Sequence, residues 1–115
     1  NAANKAFVAA FRKEYGGRYP SLYAAQAYDV IMAMDAAVKA TGGKVSDKEA
    51  LTKAIAKAQF PSVRGNFRYA NNHFPVQNFY LRSIGKNAEG RVTNKTIRTV
   101  LENYGDAYAA QCKLK

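Results

Sequence analysis

Ser21-Leu-Tyr23-Ala-Ala-Gln26-Ala-Tyr28-Asp29-Val30-Ile31-Met-Ala-Met-Asp35-Ala-Ala-Val38-Lys39-Ala40 is the stretch on which the fold turns. From Leu22 to Val38 it is apolar except for Gln26, Asp29 and Asp35, and it is rich in alanine. It is too short and too polar for a membrane span, so it reads as a buried helix. Ser21 suits its N-cap and Gly42-Gly43 closes it. A helix apolar on nearly every side must be covered on most of them.

Two further helices flank it. Phe7, Ala10, Phe11, Glu14 and Tyr15 follow the i, i+3, i+4, i+7, i+8 spacing, so the two Phe and the Tyr share a face of a helix over 4–15. Gly16-Gly17 ends it and Pro20 blocks its continuation. Beyond the central helix, Ser46-Asp47-Lys48-Glu49 reads as a capping box with Val45 at the staple position. Leu51, Ala54, Ile55 and Ala58 then form an apolar stripe that ends at Phe60-Pro61.

The period then changes. Val63 to Tyr69 carries alternating Phe67 and Tyr69, which predicts a short strand, and Asn71-Asn72-His73 predicts a turn. Pro75 marks an edge or a strand start. Val76–Ile84 and Arg91–Leu101 are rich in β-branched and aromatic residues and are separated by Gly85–Gly90, which predicts a hairpin. The tail from Tyr104 is irregular or a short helical turn. Three helices followed by three strands give an α+β order. The helices carry more apolar surface than three short strands can cover, which marks the chain as a piece of a larger α/β body. Its opening, Asn-Ala-Ala-Asn, means either that processing removed the start or that the chain is an excised piece.

The net charge of +10 raises the possibility of a nucleic-acid module. Phosphate tracking needs Lys and Arg gathered on one face, whereas the eighteen here are scattered from Lys5 to Lys115. Lys53 and Lys57, one turn apart, describe a solvated helix face. No nucleic-acid partner is therefore expected.

Residues for catalysis are sparse. There is no GxGxxG, no GxxxxGK[ST] and no Gly-x-Ser-x-Gly elbow. His73 is the only histidine and Cys112 the only cysteine, so no metal spacing exists and no cofactor is expected. Cys112 is either a free thiol or half of a bridge to sequence not present here. As a nucleophile it would need a fixed base, which a position near the chain end does not provide. Asp29 and Asp35, six apart, lie about 120° off a shared helix face and do not form a pair. Asp29 is set among Tyr28, Val30 and Ile31, and a buried Asp must be hydrogen-bonded or paired. Anchorage by a helix terminus or by an Arg of a neighbouring element is the expectation.

Three stretches carry a resemblance. Phe7…Phe11…Tyr15…Pro20 followed by Tyr23-Ala-Ala-Gln-Ala-Tyr28-Asp29 is similar to a recurring stretch of branched-chain amino acid-type periplasmic substrate-binding proteins of ABC transporters. There F-x-x-x-F-x-x-x-[YF] precedes a Pro and a Y-A-x-x-[GA]-Y-D-A-like helix start, and Val30 stands here for the commoner Ala. Gly65-Asn-Phe-Arg-Tyr69, then Asn72-His73-Phe74-Pro75-Val-Gln-Asn-Phe79-Tyr80-Leu81, resembles a later strand and N-H segment of that family. The ending Gly105-Asp-Ala-Tyr108-Ala-Ala-Gln-Cys112-Lys is similar to C-termini in one of its branches.

The resemblance implies an α/β parent fold, the type I periplasmic binding protein, with solute held between two lobes that close by hinge motion. The chain would be the C-terminal portion, with helices over 4–58, strands and hinge crossing over 63–101 and a tail over 104–115. It implies a periplasmic, non-enzymatic role: capture of a small amino acid or an aromatic or carboxylic compound, and delivery to membrane permease subunits. Partners would then be the solute, the permease, the missing N-terminal part and, for the piece alone, other copies of itself. Tyr23 maps to an aromatic that borders the cleft, and Asn72, His73 and Phe74 occupy a loop that reaches the cleft or hinge. Tyr28 and Asp29 are architectural. A receptor's extracellular ligand-sensing domain is the alternative within the same fold.

Overall fold

A computed structural model describes residues 1–114. Three helices precede a three-stranded antiparallel sheet, an α+β arrangement. Helix α1 (Ala2–Glu14) starts two residues before the expected point, because the Asn1 side chain accepts from the Asn4 amide at 2.7 Å and so caps it. At its other end the Gly17 amide donates to the Arg12 carbonyl at 2.7 Å, with Gly16 and Gly17 both in left-handed backbone that only glycine adopts freely. Helix α2 (Leu22–Ala40) has the expected bounds, capped by Ser21 onto the Ala24 amide at 3.2 Å.

Helix α3 (Lys48–Ala56) corrects the expected capping box. Asp47, not Ser46, is the N-cap, and its carboxylate accepts from the Ala50 amide at 3.0 Å. Glu49 turns away from the cap and pairs with Lys53 at 2.6 Å, one turn on. A carboxylate at the N-cap also meets the positive end of the helix dipole, which favours Asp over the neutral Ser beside it.

The sheet has the order β1-β2-β3, with strands β1 (Phe67–Tyr69), β2 (Pro75–Lys86) and β3 (Val92–Tyr104). Strand β1 is shorter than the expected 63–69, because Val63 and its neighbours are held against α2 and Gly65 has φ +96°. Pro75 opens β2 opposite Tyr69, at the one place in a central strand where a missing N–H is tolerated. Gly85 pairs with Thr93 and so belongs to the strand, not to the turn. Register shifts near Phe79 and Leu81 interrupt the β2–β3 ladder. Where β3 ends, Asn103 has φ +47° and its amide donates to the Asn78 side chain at 2.9 Å. The tail follows the short-turn expectation, with one 3₁₀ turn at Ala109–Gln111.

The buried apolar side chains are Phe7, Ala33, Ala37, Ala58, Val63 and Val76, most of them small. On α2 only Asp29, Ala33 and Ala37 are buried, a single i, i+4, i+8 stripe. The remaining faces of α2 are open: Leu22, Val30, Ile31 and Met34 are exposed. Aromatic packing joins α1 to α2, with Phe7 4.8 Å from Tyr28 between ring centroids, and continues along α1, with Phe11 4.4 Å from Tyr15. The expected cover for α2 is thus supplied on one stripe only by this chain.

Candidate functional site

Asp29 is the organising polar residue. It sits on the buried stripe of α2, 1% exposed, because its i+4 and i+8 neighbours are alanines that let the next segment approach. That segment wraps its carboxylate completely. The Ser62 hydroxyl donates to Oδ2 at 2.6 Å, the Val63 amide to Oδ1 at 3.0 Å, and Arg64 Nε to Oδ2 at 2.8 Å. Ser62 Oγ in turn accepts from the Arg64 amide at 3.0 Å. No buried side-chain polar atom among the described residues lacks a partner. The Asp is anchored as expected, by an Arg of a neighbouring segment, and one hydroxyl and one backbone amide of that segment join it. A carboxylate that is 1% exposed and already accepts three hydrogen bonds is out of a solute's reach and acts as architecture.

Arg64 passes this order to the sheet. Its guanidinium lies over the Phe67 ring, 4.4 Å from the centroid, and its Nη1 donates to Gln77 Oε1 at 3.4 Å. Beside it opens a groove of about 1,020 Å³ between the starts of α1 and α2, the 63–66 segment and the β2–β3 hairpin. Its polar walls are carboxamides and guanidinium groups, among them Asn4, Gln26, Asn78, Arg64 and Arg82. Among the described residues no Asp or Glu lines it. Arg82 forms no ion pair within the described residues and rests 5.7 Å from the Tyr80 ring centroid.

The three expected ligand contacts do not converge. Tyr23, in the first turn of α2, is 77% exposed and lines neither this groove nor the smaller cavity. His73 has φ +61° in the β1–β2 turn and lines a 260 Å³ cavity with Thr52, Ile55, Ala56 and Tyr69. Phe74 follows it, 60% exposed. The loop they belong to also holds the tail: Asn71 Nδ2 donates to the Ala109 carbonyl and Asn72 Nδ2 to Asp106 Oδ2, both at 2.7 Å.

One cluster was not legible in the sequence. The Tyr19 hydroxyl donates to Glu89 Oε2 at 2.8 Å, and the Arg12 and Arg91 guanidinium carbons lie 4.3 and 4.1 Å from the Tyr19 ring centroid. The bond to Glu89 raises the phenol pKa above its ordinary value; the two cations oppose that shift. Tyr19 and Glu89 are 70 positions apart, so no local pattern joins them.

Among the described residues no three His, Cys, Asp or Glu are close enough to share a metal ion, and no helix is long and apolar enough to cross a membrane. Residues 1–91 match the family model described as periplasmic binding protein. A solved structure of an ABC transporter substrate-binding protein from Sphaerobacter thermophilus is 27% identical over 85% of this chain, with a TM-score of 0.78. The matched region is 27% of that structure's length, so this chain spans about a quarter of it. No curated protein matches the sequence.

Proposed function

The chain belongs to the periplasmic binding protein family, and we propose from that premise that it serves extracytoplasmic solute capture for an ABC importer. The single observation that carries this is its likeness, along most of its length, to an ABC transporter substrate-binding protein. The chain forms part of one lobe together with the strands that cross to the other. Polypeptide outside this sequence supplies the cover for the open faces of α2 and the opposite wall of the cleft. The open Leu22, Ile31 and Met34 side chains support that arrangement, because apolar surface of this kind is normally buried against a partner.

The solute is a small amino acid or an aromatic or carboxylic compound. A groove wall with Arg82 and several carboxamides but no carboxylate favours an anionic or hydrogen-bonding ligand over a cation. Tyr23 borders the interlobe cleft as an aromatic wall and His73 and Phe74 reach it from the β1–β2 turn, all three outside the groove that Arg82 lines. The role requires lobe closure and delivery to permease subunits, with no covalent bond made or broken.

Thermal-shift screening of the intact protein, including the polypeptide outside this sequence, against amino acids and aromatic acids tests this. A concentration-dependent rise in Tm with one chemical class supports capture. No shift with any of them, at concentrations up to millimolar, rejects it.

A further inference from the structure

We propose that Asp106 is a positioning residue for solute binding: through Asn72 it holds the β1–β2 turn, and with it His73 and Phe74, in a single geometry. The inference rests on the reading of this chain as a solute-capture protein with His73 and Phe74 at its cleft. A backbone outlier motivates it. His73 has φ +61°, in the left-handed region that few residues with a side chain occupy. Such a conformation persists where its surroundings over-determine it, and it gathers at ligand clamps. Within the turn the Ala70 amide donates to the Phe74 carbonyl at 2.9 Å, and the His73 amide to the Ala70 carbonyl at 3.0 Å. A short turn that relies on its own bonds opens easily. This one is also held from the far end of the chain.

Asp106 lies just past β3, whose last residue, Tyr104, pairs with Gln77 near the start of β2. The chain therefore leaves the sheet beside the β1–β2 turn. A β-carbon at Gly105 would meet Val76 Cγ2 at 3.1 Å, so glycine lets the tail pass close over the buried Val76. Both oxygens of the Asp106 carboxylate are then engaged. Oδ1 accepts from the Tyr108 amide at 3.0 Å, ahead of the 3₁₀ turn at Ala109–Gln111, and Oδ2 accepts from Asn72 Nδ2 at 2.7 Å. At the other end of that carboxamide, Asn72 Oδ1 accepts from the Phe74 amide at 3.2 Å. One relay thus runs from the Tyr108 amide to the Phe74 amide and straddles His73. The charge on Asp106 strengthens its bond to Asn72. It also dictates which way Asn72 faces: a carboxylate only accepts, so it takes the NH₂ and leaves the oxygen for Phe74. A second tie runs beside the first, from Asn71 Nδ2 to the Ala109 carbonyl at 2.7 Å. The Ala109 amide donates to the Asp106 carbonyl at 3.1 Å, so Asp106 sets that tie as well. Asn72 and Asp106 are half-buried, where water competes less for their bond.

The test exchanges the two side chains in the intact protein, including the polypeptide outside this sequence. Asn72→Asp alone sets two carboxylates against each other across the 2.7 Å contact and breaks the relay. Asn72→Asp combined with Asp106→Asn restores it, since the carboxamide now donates from position 106 and the carboxylate at 72 keeps an oxygen for the Phe74 amide. Hydrogen–deuterium exchange of the Ala70, His73 and Phe74 amides should be about tenfold faster in Asn72→Asp, with exchange elsewhere unchanged, and native in the combined variant. Asp106→Ala, which breaks the relay without adding charge, should free the same amides. Calorimetric affinity for L-leucine or benzoate, one probe from each solute class, should fall about tenfold in Asn72→Asp and recover in the combined variant. Turn exchange that neither Asn72→Asp nor Asp106→Ala alters, or that the combined variant does not restore, overturns the relay. Exchange that responds and recovers while affinity stays constant overturns the role of Asp106 in binding and removes His73 and Phe74 from the cleft. Native protein that binds neither probe counts against the capture reading, and exchange of the turn amides then still decides whether Asp106 holds the turn.

Discussion

The Asp29 carboxylate and the Val63 amide, 34 positions apart, are joined at 3.0 Å at the N-terminal end of the buried stripe of α2. With Ser62 and Arg64 they make a polar joint that connects α2 to the sheet. Because the carboxylate is fully enclosed, its worth lies in what its removal leaves behind.

Asp29→Ala strands the Arg64 guanidinium, the Ser62 hydroxyl and the Val63 amide in a site with little water. Breaking a buried, hydrogen-bonded ion pair from one side costs roughly 3–5 kcal/mol. Urea denaturation of the full chain should show a loss of that order. Asp29→Asn keeps an acceptor for the Val63 amide and loses the charge, so it should cost less, about 1.5–3 kcal/mol.

Tyr23→Ala separates wall from core. At 77% exposure the ring contributes little to folding here, and the stability change should stay within about 0.5 kcal/mol. Solute affinity should fall about tenfold, some 1.4 kcal/mol, in calorimetric titration of the full chain. A stability loss with unchanged affinity would instead make Tyr23 a core residue.

The open faces of α2 predict association of the 115-residue chain expressed alone. Leu22, Ile31 and Met34 offer apolar area that water disfavours. Sedimentation velocity should show a concentration-dependent rise in mass, and Ile31→Lys should reduce it. A monomer at all concentrations, unfolding in one cooperative step with high stability, would contradict this.

Tyr19 carries a pH signature. Its phenol pKa is raised by donation to Glu89, so the folded state favours the protonated form. That contribution is fully present below the unfolded tyrosine pKa and is lost as pH rises through the higher folded value, in the alkaline range above pH 10. NMR titration of ¹³C-labelled tyrosine should place Tyr19 above its ordinary value, and Glu89→Gln should lower it.

Much of this arrangement is readable from residues close in sequence. The paired glycines at 16–17 and 42–43 and the Ser21 cap fix the helix ends, and the 3.6-residue spacing of Phe7, Phe11 and Tyr15 gives the aromatic face. Asp29 was legible as an anchored group because an Asp among Tyr28, Val30 and Ile31 has few other fates. What escaped depends on distance or on a choice between neighbours. Ser46 and Asp47 are adjacent candidates for one cap, and the dipole decides between them only once the helix start is placed. The strand expected from Val63 shortens because Asp29, far upstream, recruits its first residues. Tyr19 meets Glu89 only when the hairpin folds back. Tyr23, His73 and Phe74 were singled out from likeness to a family motif, and within this chain they occupy separate surfaces.

Capture of a small solute is decided by isothermal titration calorimetry of the intact protein, including the polypeptide outside this sequence, against the compounds that raise its Tm. The account predicts one-to-one binding with a negative heat-capacity change, as lobes close over the solute. Absence of any small-molecule binding, together with binding to nucleic acid that weakens steeply with salt, would contradict it.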